Sequence, residues 1–197
     1  VTLHLGDRTV LKDVNIVLEY KECLAIVGPN GAGKTHLLLL IHGVIAPSSG
    51  SITWDSKPQP PEGIVLVEQR PTILRRSVLG NIEHALSNKI RSPSKRRARA
   101  WEALQKFGLQ DLARQNARSL SGGEQRLLAL ARGWALAPKL LLLDEPWANL
   151  APTPRATLEQ TIMHWSRDDT MAIIFVTHDH AMATRLAERI YRLDRHE

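Results

Sequence analysis

Short apolar runs separated by amphipathic stretches are the dominant pattern along the chain. Four runs have the length and composition of buried strands: residues 24–27, 64–67, 140–143 and 172–176. Between them, apolar positions recur at helical spacing in residues 35–41, 78–86, 96–107 and 127–134. Buried strands that alternate with helices are typical of a parallel sheet covered on both faces. The pattern therefore predicts an α/β fold.

Two parts of the chain depart from this alternation. Residues 2–19 alternate more and contain a turn signal at Gly6-Asp7, which predicts a small antiparallel sheet. Residues 70–132 combine helical patterns, loop signals and most of the basic residues, which predicts a helical subdomain inserted between strands. The expected organisation is a single domain (residues 1–197) whose core comprises about residues 1–69 and 133–197.

Composition indicates an ordinary globular protein. Of 197 residues, 43% are apolar and 23% are charged, which suits one compact domain. No apolar run approaches the roughly 18 residues of a membrane span. No secretory leader is visible, although a trimmed leader stays open because the chain begins at Val1. The single cysteine, Cys23, excludes an internal disulfide and a cysteine-based zinc site, and its apolar neighbours predict a buried position. These features favour a cytoplasmic protein.

The net charge of +6 is partly local. A basic cluster comprises Lys89, Arg91, Lys95, Arg96, Arg97 and Arg99. Such a cluster could contact nucleic acid or anionic lipid. No aromatic side chains interleave with it, as a base-stacking platform requires. We therefore expect a solvated helix face.

A glycine-rich loop between the first buried strand and the first helix carries the clearest chemical pattern. Gly28, Gly33, Lys34 and Thr35 satisfy the phosphate-loop pattern G-x-x-x-x-G-K-[ST]. Glycines let successive backbone N–H groups point at phosphate oxygens, and the following helix adds its N-terminal dipole. The lysine of this pattern reaches the β- and γ-phosphates, and the threonine hydroxyl binds Mg²⁺. The loop is therefore predicted to hold a nucleotide.

The stretch LSGGEQ, residues 120–125, opens a second helix with similar chemistry. Ser121 can cap this helix, and Gly122 and Gly123 leave its first N–H groups exposed, which would create a second anion-binding site. An ordinary N-cap with glycines for close packing explains the same residues. The stretch alone leaves the two interpretations open.

Polar side chains also follow two of the predicted strands. Asp144 and Glu145 follow the leucine run, and His178 follows the run at residues 172–176. Ligands of open α/β sheets bind at the carboxyl ends of the strands. Asp144 could hold Mg²⁺, often through water, and Glu145 could orient or deprotonate an attacking water. A surface turn and a histidine without a special role are the alternatives.

Together, the motifs GPNGAGKT, LSGGEQ, LLLLDEP and VTHD resemble the nucleotide-binding subunit of ATP-binding cassette (ABC) transporters, in the family's order and over essentially the whole chain. They are similar to its Walker A, signature, Walker B and switch-histidine motifs, and Gln69 matches its Q-loop glutamine. The resemblance implies a P-loop NTPase (RecA-like) parallel sheet core, a small antiparallel β subdomain and an inserted α-helical subdomain.

The resemblance also implies cofactors and roles. ATP and Mg²⁺ would be bound, and two subunits would pair head to tail so that the loop of one and the signature of the other enclose each ATP. The expected catalytic residues are Lys34, Glu145 and His178, and the expected metal ligands are Thr35, Gln69 and Asp144. The expected nucleotide contacts are Gly28, Pro29, Asn30, Gly31, Ala32, Gly33, Lys34, Thr35, His36, Gln69, Ser121, Gly122, Gly123 and Glu124.

In this family the segment after the Q-loop docks a membrane permease. Here that segment is RPTILRRSVLGNIEHAL, and with residues 42–54 it is most similar to ATPases of tungstate- and molybdate-type oxyanion importers. The implied partners are a permease, a periplasmic or lipid-anchored substrate-binding protein and a second copy of the chain, without nucleic acid. The implied location is the cytoplasmic face of the bacterial inner membrane. Arg70, Arg75 and Arg76 are not expected to bind oxyanion, because other subunits of importers recognise the cargo.

Several residues depart from the family pattern. Leu5 stands where an aromatic side chain usually stacks on adenine, and Ala151 stands where the D-loop aspartate usually couples the two ATP sites. The other departures are His36, Arg126-Leu127 and Trp147. None removes an expected catalytic residue. We therefore expect an active ATPase with slow turnover and loose base selectivity.

Other functions within this class stay open. A soluble cassette ATPase acting on DNA or ribosomes would use the basic cluster, but no sustained heptads for a long coiled coil separate the two halves of the ATP site. An exporter subunit of the haem-export type is a second alternative. A degenerate cassette that only binds ATP is a third, against which the presence of Glu145 and His178 argues. The guanine-reading Asn-Lys-x-Asp is missing, which argues against a GTPase.

Overall fold

The structure is a computed structural model that describes residues 1–58, 62–148, 150–167 and 171–195. The strands are β1 (Leu3–Leu5), β2 (Arg8–Leu11), β3 (Cys23–Val27), β4 (Ile64–Val67), β5 (Leu140–Asp144), β6 (Ala172–Thr177) and β7 (Arg189–Arg192). The helices are α1 (Lys34–His42), α2 (Val78–Ala85), α3 (Pro93–Lys106), α4 (Gly122–Ala135), α5 (Pro152–Arg167) and α6 (His180–Leu186). In this part of the chain, no helix combines the length and apolar composition needed to cross a membrane.

Five parallel strands form the central sheet, in the order β4-β5-β6-β3-β7. The four predicted buried runs are β3, β4, β5 and β6, each within one residue of its predicted bounds. The hairpin of β1 and β2 is antiparallel, as predicted from residues 2–19. The predicted α/β class is therefore confirmed.

The place of each strand in the sheet explains its burial. Every residue of β3, β5 and β6 is buried, because these strands have neighbours on both sides. β4 lies at one edge, where Ile64, Val65 and Leu66 are only partly buried. The prediction for β4 was right about its position and wrong about its burial, since an apolar run does not reveal which strand has no outer neighbour.

Alternate residues of the central strands belong to two separate apolar layers. From β3, Leu24 and Ile26 pack in the layer that contains Leu38 of α1. Cys23 and Ala25 pack in the other layer, with residues of α4. Cys23 is fully buried, as predicted, and burial raises the pKa of its thiol to about 12. The thiol therefore stays protonated at neutral pH.

Helices α2, α3 and α4 pack against one another in the predicted helical subdomain. Its predicted boundary, at residue 132, falls inside α4. The next residue after this boundary, Gly133, lies so close to β4 that a Cβ on it would come within 2.9 Å of Val67 Cγ2. One helix therefore belongs both to the helical region and to the packing of the sheet, and the division itself stays a prediction.

Half of the basic cluster is used inside the fold. Lys89, Arg96 and Arg99 each donate hydrogen bonds to backbone carbonyls. Arg99 Nε contacts Ala135 O at 3.1 Å, and its guanidinium lies over the Trp134 ring, 3.9 Å from the centroid. Cationic side chains stabilise the C-terminal end of a helix, here that of α4. Arg91, Lys95 and Arg97 are exposed, as is Lys89, so the predicted solvated face is present in part.

Candidate functional site

Two glycines of the loop after β3 are required by the close approach of other segments. At Gly28, a Cβ would lie 2.2 Å from Leu193 O. Gly33 has a φ of +90°, and a Cβ there would lie 2.7 Å from Leu11 Cδ2 and 2.9 Å from Val10 O. A left-handed backbone under β2 leaves room for glycine alone. The small antiparallel hairpin therefore packs directly on the loop and fixes its path into α1.

Lys34 lies against the loop that precedes it. Its ammonium donates to Gly28 O at 2.6 Å and to Pro29 O at 3.1 Å. Burial lowers the pKa of Lys34, and the nearby Glu145 and Asp144 carboxylates oppose that shift. Among the other predicted loop contacts, Ala32 is buried, His36 is half-buried, and the exposed residues are Pro29, Asn30, Gly31 and Thr35.

Two of the three predicted metal ligands are in direct contact. Thr35 Oγ1, in the first turn of α1, donates to Asp144 Oδ2 at the end of β5, over 2.8 Å. Burial raises the pKa of the Asp144 carboxyl, and the Thr35 hydrogen bond opposes that shift. The third predicted ligand, Gln69, follows β4 and is exposed. Its backbone carbonyl accepts a hydrogen bond from Arg126.

Glu145 and His178, the predicted catalytic residues at two strand ends, form a pair. His178 Nδ1 lies 2.9 Å from Glu145 Oε1, and Thr177 Oγ1 lies 3.4 Å from Glu145 Oε2. The Glu145 side chain is 12% exposed and the His178 side chain 64%. Glu145 also has a φ of +44°, a left-handed conformation that is uncommon away from glycine. Its N–H donates to Val176 O at 3.1 Å, which ties this turn to β6.

Arg126 contacts two predicted site residues, Glu145 and Gln69. The sequence did not indicate that Arg126 lies in the site. It is buried in α4, and its Nη1 donates to Glu145 O at 2.8 Å. Its Nη2 donates to Gln69 O. One signal was available in the sequence, a basic residue on an otherwise apolar helix face. The partners of Arg126 become visible only in three dimensions.

The signature stretch begins α4 with a capping box. Ser121 Oγ accepts from Glu124 N at 3.3 Å, and Glu124 Oε2 accepts from Ser121 N at 2.7 Å. Ser121 and Gly122 are exposed. Within the described residues, no hydrogen bond joins residues 121–124 to the loop at residues 28–36. The chain thus presents two separate helix starts suited to anions.

The departures from the expected pattern have different structural settings. Leu5 is 49% exposed at the end of β1. Trp147 is buried against Phe175 with ring centroids 5.0 Å apart, and among the described residues its Nε1 finds no hydrogen-bond partner. Ala151 precedes α5, and its carbonyl accepts from Arg155 N. Arg155 in turn contacts Asp179, next to His178, at 2.7 Å.

Comparisons with known proteins identify the class. The family model described as ABC transporter matches residues 11–148. The tungstate uptake system ATP-binding protein TupC of Peptoclostridium acidaminophilum is 34% identical, over 96% of this chain and 89% of the relative. The molybdate/tungstate import ATP-binding protein WtpC of Thermococcus kodakarensis is 37% identical, over 91% of this chain and 56% of the relative.

Other relatives and a solved structure agree on the family. Import ATP-binding proteins named for cobalt, spermidine/putrescine and Fe(3+) match at 35%, 32% and 33% identity. The chain spans about half the length of the polyamine and iron relatives. The dimeric post-hydrolysis structure of the ATP-binding cassette MJ0796 bound to ADP and Pi has a TM-score of 0.88 and 29% identity, over 100% of this chain and 93% of that chain.

Fold, loop and relatives together define a nucleotide-binding cassette. The chain belongs to the ABC transporter family, whose cassettes are ATPases coupled to transport. Its nucleotide is ATP, as the resemblance of its four motifs implied.

Proposed function

We propose that the chain is the ATP-hydrolysing subunit of an ABC importer. The observation that carries the proposal is the meeting of the Thr35–Asp144 and Glu145–His178 pairs at the same end of the sheet as the phosphate loop. Phosphoryl transfer depends chiefly on positioning and on charge stabilisation. This arrangement supplies a cation at Lys34, a carboxylate at Glu145 and backbone N–H groups at a helix start.

Each residue has a role that follows from its setting. Lys34 would bind the β- and γ-phosphates, exchanging its contacts with the loop carbonyls for phosphate oxygens. Glu145 would orient the attacking water and accept its proton. His178, held 2.9 Å from Glu145, would align that carboxylate and contact the γ-phosphate. The remaining loop residues would bind phosphate through their backbone N–H groups.

The oxygen donors at the end of β5 suit Mg²⁺. Thr35 and Asp144 offer a hydroxyl and a carboxylate, and Gln69 offers an amide oxygen, which are the hard ligands that Mg²⁺ prefers. Across the described residues, no group of three or more His, Cys, Asp or Glu side chains could hold a metal ion alone. ATP phosphates would complete the set, as is usual for Mg²⁺. Mg²⁺ would neutralise charge on the phosphates during transfer.

A homodimer explains the second helix start. Ser121 and Gly122 are exposed, and their own chain offers them no hydrogen bond to the phosphate loop in the described residues. A head-to-tail copy would bring Ser121, Gly122, Gly123 and Glu124 of one chain to the ATP held by the loop of the other. The dimeric relative bound to ADP and Pi supports this pairing.

The proposed cargo is an oxyanion such as tungstate or molybdate. Two relatives, TupC and WtpC, carry such names at 34% and 37% identity, whereas relatives named for cobalt, polyamines and iron match almost as well. Cargo would be recognised by a permease and a periplasmic or lipid-anchored binding protein. The chain would act at the cytoplasmic face of the bacterial inner membrane.

Nucleic-acid binding is the less favoured alternative, since three of the six residues of the basic cluster, Lys89, Arg96 and Arg99, are engaged with backbone carbonyls. The test of the importer proposal is purification of the tagged chain from native membranes in mild detergent, with identification of partners by mass spectrometry. A polytopic membrane protein with an oxyanion-binding partner is expected. Recovery of ribosomal or DNA-bound partners alone would overturn the proposal, and recovery of a permease without a binding protein would favour an exporter.

A further inference from the structure

The position of Arg126 is explained neither by the polar side chains at the strand ends nor by nucleotide binding. Its side chain lies in the second turn of α4, five residues after the N-cap Ser121, and the residue is 7% exposed. Its guanidinium donates to two backbone carbonyls, Glu145 O at 2.8 Å and Gln69 O. These carbonyls come from the ends of two different strands.

The two strand ends are neighbours in the sheet. β4 pairs with β5 in the register Val67↔Leu143, so Gln69 and Glu145 each lie two residues beyond a paired position. No hydrogen bond between these two turns is recorded in the described part of the chain. Arg126 therefore joins them, and it does so from the helix that carries the signature stretch.

A buried guanidinium needs hydrogen bonds or opposite charge, because burial otherwise disfavours it. In the described residues, Arg126 forms no ion pair within 4 Å. Burial lowers the pKa of Arg126, and the nearby Asp144 and Glu145 carboxylates oppose that shift. The hydrogen bonds of Arg126 go to backbone carbonyls. Removal of the side chain would therefore release two backbone turns, whereas removal of an ion-paired arginine would release a carboxylate.

The Glu145 turn depends on support from outside. Its φ of +44° is left-handed, and such a conformation persists when surrounding contacts over-determine it. The N–H of Glu145 is held by Val176 O, and its carbonyl is held by Arg126. These contacts set the direction in which the Glu145 side chain leaves the backbone toward His178.

We propose that Arg126 is a positioning residue for ATP hydrolysis, which fixes the Gln69 and Glu145 turns to the helix that begins at Ser121. The inference rests on the proposed roles of these residues. A displacement of the start of α4 would move both turns, because one planar guanidinium is hydrogen-bonded to both of them. The orientation of the Glu145 side chain thereby depends on the position of α4.

The chemistry of the guanidinium makes the proposal specific. Its planar fork presents several N–H donors in fixed directions, whereas a lysine ammonium is a point charge and a glutamine amide is shorter. Lys at position 126 can retain charge and one contact, and Gln retains neither the charge nor the reach. The two substitutions therefore separate loss of the planar fork alone, in Arg126→Lys, from loss of the fork, the charge and the reach together, in Arg126→Gln.

The experiment compares Arg126→Lys and Arg126→Gln with the matched controls Arg97→Lys and Arg97→Gln on the exposed face of α3. ATP affinity is measured by equilibrium binding, kcat and KM by steady-state hydrolysis, and folding by thermal unfolding. We expect kcat to fall roughly 10- to 100-fold in Arg126→Gln and less in Arg126→Lys, with ATP affinity within about twofold of the parent. The Arg97 variants should match the parent.

The outcomes separate this inference from the proposed function. If the parent hydrolyses ATP and Glu145→Gln abolishes it, yet Arg126→Gln keeps the parental kcat, Arg126 has no positioning role. If the Arg126 variants lose ATP affinity and thermal stability in the same proportion as kcat, with no difference between Lys and Gln, the role is structural and the inference also fails. If the parent itself is inactive and does not respond to Glu145→Gln, the proposed function fails instead.

Discussion

The imidazole of His178 and the carboxylate of Glu145 lie 2.9 Å apart although they come from different strands, β6 and β5. Glu145 directly follows β5 and His178 directly follows β6, and the parallel register Asp144↔Val176 places them one and two residues beyond this paired position. Glu145 is the more buried of the two, so His178 covers the carboxylate from the open side.

Glu145→Gln should retain ATP binding and lose hydrolysis. Gln preserves the size of the side chain but cannot accept a proton from water, so we expect kcat to fall roughly 10²- to 10⁴-fold. Single-turnover hydrolysis and equilibrium ATP binding measure the two effects. Glu62→Gln, at an exposed position, is the control. A parental rate in Glu145→Gln would remove the role given to this residue.

His178→Ala should reduce kcat by a smaller factor, because the carboxylate remains but loses its aligning partner. We expect a decrease of roughly 10- to 100-fold. The double variant with Glu145→Gln should cost little more than Glu145→Gln alone, since the two act as a unit. His84→Ala, on the exposed side of α2, is the control. Additive losses in the double variant would mean that the residues act independently.

Asp144→Asn should make the ATP-free chain more stable while abolishing Mg²⁺-dependent hydrolysis. Burial raises the pKa of Asp144 above the usual value of 3.8, so the unfolded state loses this proton at lower pH than the folded state. The ionised group therefore reduces stability increasingly as pH rises from that usual value through the folded pKa. Asn can still accept the Thr35 hydrogen bond without the charge.

Thermal unfolding measured from about pH 4, near the usual carboxyl value, up to about pH 8 tests this effect. The stability gain of Asp144→Asn should be largest near neutral pH and shrink on acidification. Asp7→Asn, at an exposed turn, should show no such gain. A Tm for Asp144→Asn that lies below the parent at every pH would contradict the argument.

Leu5→Tyr should tighten ATP binding. Leu5 is 49% exposed, so a larger side chain can be accommodated, and stacking of a base on an aromatic ring contributes about 1–3 kcal/mol. We expect the KM for ATP to fall by roughly tenfold and the preference for ATP over GTP to change. Val17→Tyr, at another exposed apolar position, controls for added surface. An unchanged KM would mean that adenine does not contact this position.

The central part of the fold could be predicted from the sequence because burial leaves a direct mark on it. β3 is apolar throughout, and β5 and β6 are apolar up to their last residue, since each strand is enclosed by other strands and helices. β7 was not predicted because it is an edge strand with the sequence RIYR, in which arginines mask the pattern. Strand order is likewise invisible in a run of leucines.

The candidate site shows the same contrast. The phosphate loop could be predicted because local backbone geometry demands glycine at fixed spacing, as Gly28 and Gly33 illustrate. The link from Arg126 to Gln69 and Glu145 could not, because it joins segments separated by 57 and 19 residues and ends on backbone carbonyls that every residue possesses. A side chain that recognises backbone leaves no complementary residue type in the sequence.

The burial of Cys23 has a practical consequence for following this molecule at work. It is the one cysteine of the chain, and its protonated, fully buried thiol should react negligibly with maleimides or nitroxide labels. A cysteine introduced at an exposed position would then carry a fluorophore or spin label selectively, without prior mutation of the natural thiol. Distances between paired labels on two copies could report opening and closing during turnover in an otherwise unaltered sequence.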